Sequence, residues 1–400
     1  MSSRTDVIIA GGGMAGASLA LALAQAGKSV AVIEPNTLID FDTQQPFDLR
    51  VSAISPASRN LLQNLGVWQD ITNMRINSFS KMLVEDGAGS NVLDFSATEI
   101  NEPALGYIIE NRLISLCLRA AAQAHPDISW YEDVVAGFSL EQEDAIVTLG
   151  EGKVLLAQLL VGADGASSFV RQHAEVELFE TNYQQQAIVA SIGVHPESAP
   201  QAWQRFEEQE VLAFLPLTTD TSSIVWSVAE EKAAQLLEKN EQDFLSELQK
   251  LTGNQFGQLR INSERKTFPL YGRHAAQYVQ PRLALVGDAA HSVHPLAGQG
   301  ANLGFMDVAE LSRVISNSDR DLGSLHMLKK YQRKRLGENA LMLRSLEAVQ
   351  QLYNSDNPLV TRVRSIGTRL ISDFKPLKAL LIQHASGTLP DAPDLLKPFQ

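Results

Sequence analysis

Apolar and polar positions follow two rhythms along this chain, and each change of rhythm marks an element. Thr5 to Ala10 is a short, β-branched apolar run, and Ser29 to Ile33 is a second one that closes with Glu34. Unbroken apolar runs of that length predict strands covered on both faces, as in a parallel sheet. Between them, Ala15 to Ala26 is rich in alanine and leucine, which predicts a helix that stops at Gly27. Pro56 to Leu65, ending at Gly66, reads as another helix. Leu159–Val161 and Leu283–Val286 are buried strands that each run into a glycine–aspartate turn. The second turn is followed by a glycine-rich stretch and a helix to about Ile315. Ala187–Val194, Val211–Leu215 and Ser223–Val228 are alternating or continuous apolar runs, the pattern of a second sheet. Glu230–Gln249 is acidic and reads as one solvated helix. Near the C-terminus Leu359, Val363, Ile366, Leu370, Phe374 and Leu377 recur every three or four residues, an amphipathic stripe.

Composition narrows the classes. A chain of 400 residues is too long for one core, and 44% hydrophobic with 20% charged residues is globular usage. The formal charge of −13 argues against a general affinity for nucleic acid. That charge is uneven: residues 326–380 carry 11 Lys/Arg against 4 Asp/Glu, a +7 tail on a −20 remainder. Two readings of the tail stay open, a helix packed on the main domain or a partner subunit, and a basic helix lying on a membrane surface. A homo-oligomer or a biosynthetic complex is compatible with the first. Cys117 is the single cysteine, which excludes internal disulfides and a cysteine-built zinc or iron–sulfur site; no metal is expected. No run of about 20 apolar residues exists to span a bilayer. Residues 7–26 imitate a signal peptide, with Ala24-Gln25-Ala26 as a mock cleavage site, but the glycines and Asp6 fit strand, turn and helix better. The expected location is cytoplasmic, with peripheral contact at the inner membrane face on the second reading of the tail.

The glycines carry the chemistry. Gly11, Gly13 and Gly16 form G-x-G-x-x-G between strand and helix, and Glu34 follows Gly16 by 18 residues. The first glycine permits the turn, the second lets backbone approach a pyrophosphate, and the third packs helix on strand. The helix N-terminus presents free N–H groups to the anion, and an acid at the end of the second strand binds ribose hydroxyls. An acid there favours FAD or NAD over NADP. Asp288, at the end of a predicted parallel strand, offers an acceptor to a sugar-alcohol chain. Gly298–Gly300 opens a helix whose N–H groups suit a centre that becomes anionic.

On Gly11–Gly16 with Glu34, Gly162–Gly165, and Gly287–Asp288 with Pro295–Gly304, the sequence resembles the single-component FAD-dependent aromatic hydroxylases typified by p-hydroxybenzoate hydroxylase. Leu49–Ile54, Leu65–Trp68, Gly106–Asn111 and Ala213–Leu217 are similar to the ubiquinone-biosynthesis branch. The resemblance runs from residue 5 to about 340. It implies that Gly11, Gly13 and Gly16 hold the pyrophosphate of FAD and Glu34 its adenosine ribose. Arg50 and Arg112 would contact the cofactor, and backbone near Val135 would approach the adenine. Asp164 lies in a motif tied to both FAD and nicotinamide nucleotide, and Asp288 would bind the ribityl chain. Pro295 with Gly298, Gln299, Gly300, Ala301 and Asn302 would border the isoalloxazine. Ala301 stands where relatives often carry valine, a change the backbone N–H tolerates.

The implied fold class is α/β: a Rossmann-like FAD-binding domain interleaved with a mostly antiparallel β-sheet substrate domain, plus C-terminal helices. The FAD domain would take residues 1–75, 102–180 and 274–340, the substrate domain 76–101 and 181–273, and the helical tail 341–400. The implied function is a monooxygenase in which NAD(P)H reduces FAD and O2 supplies the oxygen atom inserted into an aromatic ring. No Ser/His/Asp or paired-carboxylate arrangement emerges, and none is needed, because the cofactor carries this chemistry. His291 and His294 lack a third ligand and read as structural. Tyr107 and Tyr271 are candidates for the substrate cavity. The substrate suggested by the branch is a polyprenyl phenol or quinol on the way to ubiquinone. Leu105–Tyr107 and His274–Pro281 lean toward the 2-polyprenyl-3-methyl-6-methoxy-1,4-benzoquinol step. The alternatives are a hydroxylase of a small soluble aromatic and a FAD-binding scaffold inert by itself.

Overall fold

The β-branched N-terminal run forms strand β1 (Ser3–Ala10), which pairs in parallel with β2 (Val30–Ile33) and β11 (Val154–Gly162). The computed structural model describes residues 3–87, 92–195, 201–294, 298–318, 320–353, 360, 367, 370–371, 374–388 and 390–399; elements are numbered along the chain. Beyond β2 lies β8 (Ile128–Tyr131), and beyond β11 lies β19 (Leu283–Leu285), both parallel. β18 (Val279–Gln280) closes one edge, while β10 (Ala145–Leu149) and β9 (Val135–Leu140) extend antiparallel from β11. The spatial order β18-β19-β11-β1-β2-β8 reverses its progress between β1 and β11. Ligands in open α/β sheets bind at the carboxyl ends of the strands at such a reversal.

A second, mostly antiparallel sheet runs β20 (His291–Ser292), β17 (Lys266–Ala275), β12 (Leu178–Gly193), β15 (Thr221–Ala229), β14 (Glu210–Pro216), β13 (Ala202–Glu207), β5 (Lys81–Asp86), β6 (Val92–Ser96). β16 (Arg260–Ile261) pairs with β12, and β13 with β5 is a parallel pair in this sheet. A small sheet of β3 (Val51–Ile54), β7 (Gly106–Glu110) and β4 (Asn77–Phe79) lies beside the other two. Residues 77–79 therefore pair with β7, although the sequence division puts them in the substrate segment.

Helix α1 (Met14–Gln25) is buried at every position from Gly16 to Ala24, as its unbroken Ala/Leu run requires. It packs against α4 (Asn111–Ala124) and α8 (Gly300–Ser316), and this core includes α2 (Pro56–Asn64) and α3 (Trp68–Met74). Ile8, Ile9, Leu19 and Leu23 are fully buried there, so truncating any of them to alanine costs about 2–5 kcal/mol. A second core in the substrate sheet holds Trp203, Phe214 and Phe256, with the two phenyl rings stacked 4.3 Å apart.

The structure departs from the sequence expectations in places, and the acidic stretch shows a local cause. The acidic stretch is two helices, α6 (Glu230–Glu238) and α7 (Glu241–Thr252), because Asn240 accepts the Asp243 N–H at 2.9 Å and starts a new helix. Both bury an apolar face through Ala233, Leu236, Phe244 and Leu248. The short α5 (Phe169–His173) sits just after the first glycine–aspartate turn. α9 (Leu325–Tyr353) runs without a break through residue 340, where the tail was expected to begin. Of the amphipathic stripe, Leu359, Val363 and Ile366 lie outside the described residues; Leu370 and Phe374 are 58% and 54% exposed.

The tail clasps the molecule. In α10 (Lys375–Ser386), Lys378 is buried and donates to Asp94 at 3.0 Å and Glu99 at 2.8 Å beside β6. The last residues dock on α2, where Asn60 Nδ2 donates to Leu396 O at 3.0 Å and Asn64 Nδ2 to Leu395 O at 2.9 Å. Leu380 and Leu381 of α10 face outward, 55% and 42% exposed.

Candidate cofactor and substrate site

At the reversal point, Ala163 N–H donates to Ala10 O at 2.7 Å and Gly11 N–H to Ile33 O at 2.8 Å, so the ends of β1, β2 and β11 are tied together. Gly11 has φ +99°, and a Cβ there would stand 2.3 Å from Ala163 O. A Cβ on Gly16 would stand 1.9 Å from Gly11 O, whereas one on Gly13 would meet nothing within 4 Å. The first and third glycines are thus demanded by packing, and the second faces open space. That space is a cavity of about 740 Å³. Gly11, Gly13, Glu34, Arg50, Val135 and Asp164 line it together with Asn36, Asp133, Ser167 and Phe169.

The donor set suits a dinucleotide. α1 begins at Gly13 with neither a capping side chain nor an acid in its first turn, leaving its positive end to an anion. Glu34 accepts the Gly12 N–H at 2.8 Å and the Asn36 N–H at 2.8 Å, which fixes its carboxylate beside that helix end. Asp164 accepts Ser168 Oγ–H at 2.5 Å and Val170 N–H at 3.0 Å, so it also caps α5. Arg50 is exposed, just before β3, and lies 5.5 Å over the Phe268 ring of β17. Arg112 is elsewhere: its guanidinium grips Asp48 through two bonds of 2.9 Å and donates to Asp40 O at 2.9 Å. It pins the loop between Glu34 and Arg50 and does not line the cavity.

The second turn, Gly287–Ala289, lies behind α1, where a Cβ on Gly287 would stand 3.2 Å from Ala15 Cβ. Asp288 is exposed on one side, yet the surrounding protein mass raises its carboxyl above the ordinary range against the pull of His291, Arg50 and Arg273. α8 starts at Gly300 with Gln299 as cap residue, again without a capping side chain or an acid in the first turn. Asn302 anchors this end: its Oδ1 accepts the Ser55 N–H at 3.0 Å, and its Nδ2 donates to Ala53 O at 2.9 Å. Gly298, at φ +59°, would place a Cβ 3.2 Å from Ala53 Cβ. Gln299 is buried and donates to Ala385 O of α10 at 3.4 Å; Gly300 and Ala301 open the helix. Pro295 lies outside the described residues.

Sequence reasoning missed a buried polar network behind the second turn. Asp307, fully buried on α8, accepts Gly287 N–H at 3.0 Å and His291 Nε2–H at 2.5 Å on one oxygen. Its other oxygen accepts Arg335 Nε–H at 2.8 Å and Asn339 Nδ2–H at 3.1 Å from α9. Burial alone would raise this carboxyl, but His291 and Arg335 outweigh it and hold it well below the usual carboxylate range. The available signal was an acid within the otherwise apolar run Leu303–Ala309 of this helix. His294 is buried apart from this network, its Nε2 3.2 Å from Gln185 Oε1, and burial lowers its pKa to about 4. Tyr107 packs edge-on to Trp68 at 5.0 Å, and Arg273 lies 4.7 Å over the Tyr271 ring.

Fold and cavity together define an α/β protein of the dinucleotide-binding class with a second, mostly antiparallel sheet. A family model described as "FAD binding domain" matches residues 4–344, and the chain belongs to this family of FAD-dependent monooxygenases, which use NAD(P)H. It is 36% identical over 391 residues to the 3-demethoxyubiquinol 3-hydroxylase of Escherichia coli, covering 96% of this chain and 98% of that protein. It is 33% identical to the mitochondrial ubiquinone biosynthesis monooxygenase COQ6 of Homo sapiens, covering 95% and 92% of the two chains. Among solved structures, PqsL of Pseudomonas aeruginosa, a probable FAD-dependent monooxygenase, superposes with a TM-score of 0.77 at 22% identity over 92% of this chain and 99% of its own. HpxO of Klebsiella pneumoniae, solved with FAD and uric acid, gives a TM-score of 0.72 at 17% identity over 96% and 97%. The chain is a flavin-dependent hydroxylase related to ubiquinone-biosynthesis monooxygenases.

Proposed function

We propose that this chain hydroxylates the ring of a polyprenyl phenol or quinol in ubiquinone biosynthesis, at the 2-polyprenyl-3-methyl-6-methoxy-1,4-benzoquinol step. The observation that carries the substrate class is the apolar cluster beside the flavin turn. Phe79, Ile108, Ala202 and Leu217 are buried there, with Ala53, Leu105 and Leu215 packed against them. Ala53 is the residue that Gly298 abuts, so this apolar cluster adjoins the turn that would border the isoalloxazine. Such a cluster suits a ring carrying an apolar chain better than a small charged aromatic. The similarity to the 3-demethoxyubiquinol 3-hydroxylase of Escherichia coli supports the choice of step.

Bound FAD, reduced by NAD(P)H, supplies the activation of O2 that side chains cannot provide. In this reading the first turn and α1 hold the pyrophosphate, Glu34 the ribose, and Asp288 the ribityl chain. Arg50 and backbone near Val135 contact the cofactor, and the uncapped α8 end stabilises negative charge. The apolar cluster orients the ring and excludes water. No helix among the described residues is long and apolar enough to cross a membrane. Peripheral contact at the inner membrane face is supported by the outward Phe374, Leu380 and Leu381 with neighbouring Lys375.

The test is complementation of a bacterial strain lacking its 3-demethoxyubiquinol 3-hydroxylase. Expression of this chain should restore ubiquinone and clear the demethoxy intermediate. Persistence of the intermediate, with the flavoprotein folded and loaded, overturns the assigned step. Product formation from free phenols would instead favour the small-aromatic reading.

A further inference from the structure

We propose that Asp307 is the positioning residue of the second cofactor turn, acting on the cofactor through Gly287 and His291 and so through Asp288. The proposal rests on the reading of Asp288 as the side chain that meets the cofactor.

One oxygen of Asp307 receives both Gly287 N–H and His291 Nε2–H, at 3.0 and 2.5 Å. These two residues flank Asp288, at one position before it and three after. The arc between them is closed by Ala290 N–H donating to Gly287 O at 2.8 Å, and Gly287 adopts φ +60° to begin it. The direction of Asp288 is therefore fixed by a carboxylate it does not touch. The second oxygen is oriented from α9, by Arg335 and by Asn339 one helical turn later. Arg335 Nη2 also donates to Asn339 Oδ1 at 2.6 Å, and Asn339 Nδ2 reaches Tyr278 Oη at 3.2 Å, 3.2 Å from His274 Nε2. Asp307 thus has donors on both oxygens and a single arrangement that satisfies them. A buried ion pair is a poor source of stability compared with apolar packing. Its contribution here is geometric: α9 sets the carboxylate, the carboxylate sets both ends of the arc, and the arc aims Asp288.

A double-mutant cycle on the full-length chain tests this, with FAD affinity read by quenching of flavin fluorescence and folding by circular dichroism. Asp288→Ala and Asp307→Asn are each expected to weaken FAD binding by about 10- to 100-fold, the worth of a hydrogen bond to a charged group. If Asp307 acts through Asp288, the double variant binds FAD no more weakly than Asp288→Ala alone. Multiplying effects would show that Asp307 acts independently of Asp288 and overturn the proposal. An inert Asp307→Asn beside an effective Asp288→Ala would overturn it too, whereas an inert Asp288→Ala overturns the reading of Asp288 beneath it. Should Asp307→Asn fail to fold, His291→Leu and His291→Gln carry the same cycle. Gln restores a donor toward Asp307, so recovery of FAD affinity with Gln is expected. Equal loss with both residues overturns the proposal.

Discussion

At the first turn, Gly11–Gly16, position is enforced by crowding: backbone of Ala163 and of Gly11 itself fills the space that side chains would occupy. At the second turn, Gly287–Ala289, it is enforced by charge: a buried carboxylate gathers donors from the turn and from α9. The first device is local and tolerates nothing larger than hydrogen. The second is distributed over residues that sequence keeps far apart, and it depends on each partner remaining ionised or hydrogen-bonded. The two modes of support rest on different residues, so they can be broken separately.

The largest expected effect is at the crowded turn. Gly16→Ala should cost upward of about 5 kcal/mol, since backbone rather than a flexible side chain must move. The loss is read as a drop in the urea midpoint of the apoprotein. Gly13→Ala sharpens the point: its Cβ meets open space, so apoprotein stability should hold while FAD affinity falls. Equal destabilisation by both would refute support by crowding. Next comes Arg335→Met, which leaves Asp307 charged beneath the second turn and should cost about 3–5 kcal/mol. A midpoint unchanged from wild type would mean that charge does not hold this turn.

The smallest effect is a pH dependence. His294, buried just before the second glycine-rich stretch, holds its folded pKa near 4, against about 6.5 when unfolded. The unfolded chain therefore binds the extra proton first, and stability falls as pH drops from about 6.5 toward 4. The decline attributable to this residue is about 2–3 kcal/mol, and stability above pH 7 is unaffected by it. Comparing urea midpoints at pH 7.5 and 4.5 should show a smaller acid loss in His294→Gln than in wild type. An identical loss in both would remove His294 from the acid limb.

The same contrast explains what was readable in advance. Gly11, Gly13, Gly16 and Glu34 are legible because strand, turn, helix and strand follow one another within 34 residues. The second turn itself is legible for the same local reason, through Gly287-Asp288 and Gly298–Asn302. Its support is not, since Arg335 and Asn339 look like ordinary polar positions of a long helix until α9 is placed against α8. Arg112 shows the limit of resemblance: its guanidinium is engaged by Asp48, away from the cavity. The break at Asn240 was present in the sequence as a capping residue, but the acidic run on both sides concealed it.

The docking of residues 375–399 on α2, β6 and the Gln299 turn has a consequence for synthesis. Asn60 binds the carbonyl of Leu396, Lys378 binds Asp94 and Glu99, and Gln299 binds the carbonyl of Ala385. Until residues 375–399 have left the ribosome, the domain that precedes them is without these contacts. The N-terminal glycine turn can form early, yet the glycine-rich turn at Gln299 gains its neighbour Ala385 only once α10 has been made. A chain that stopped before residue 375 would thus keep every glycine motif and lack these contacts.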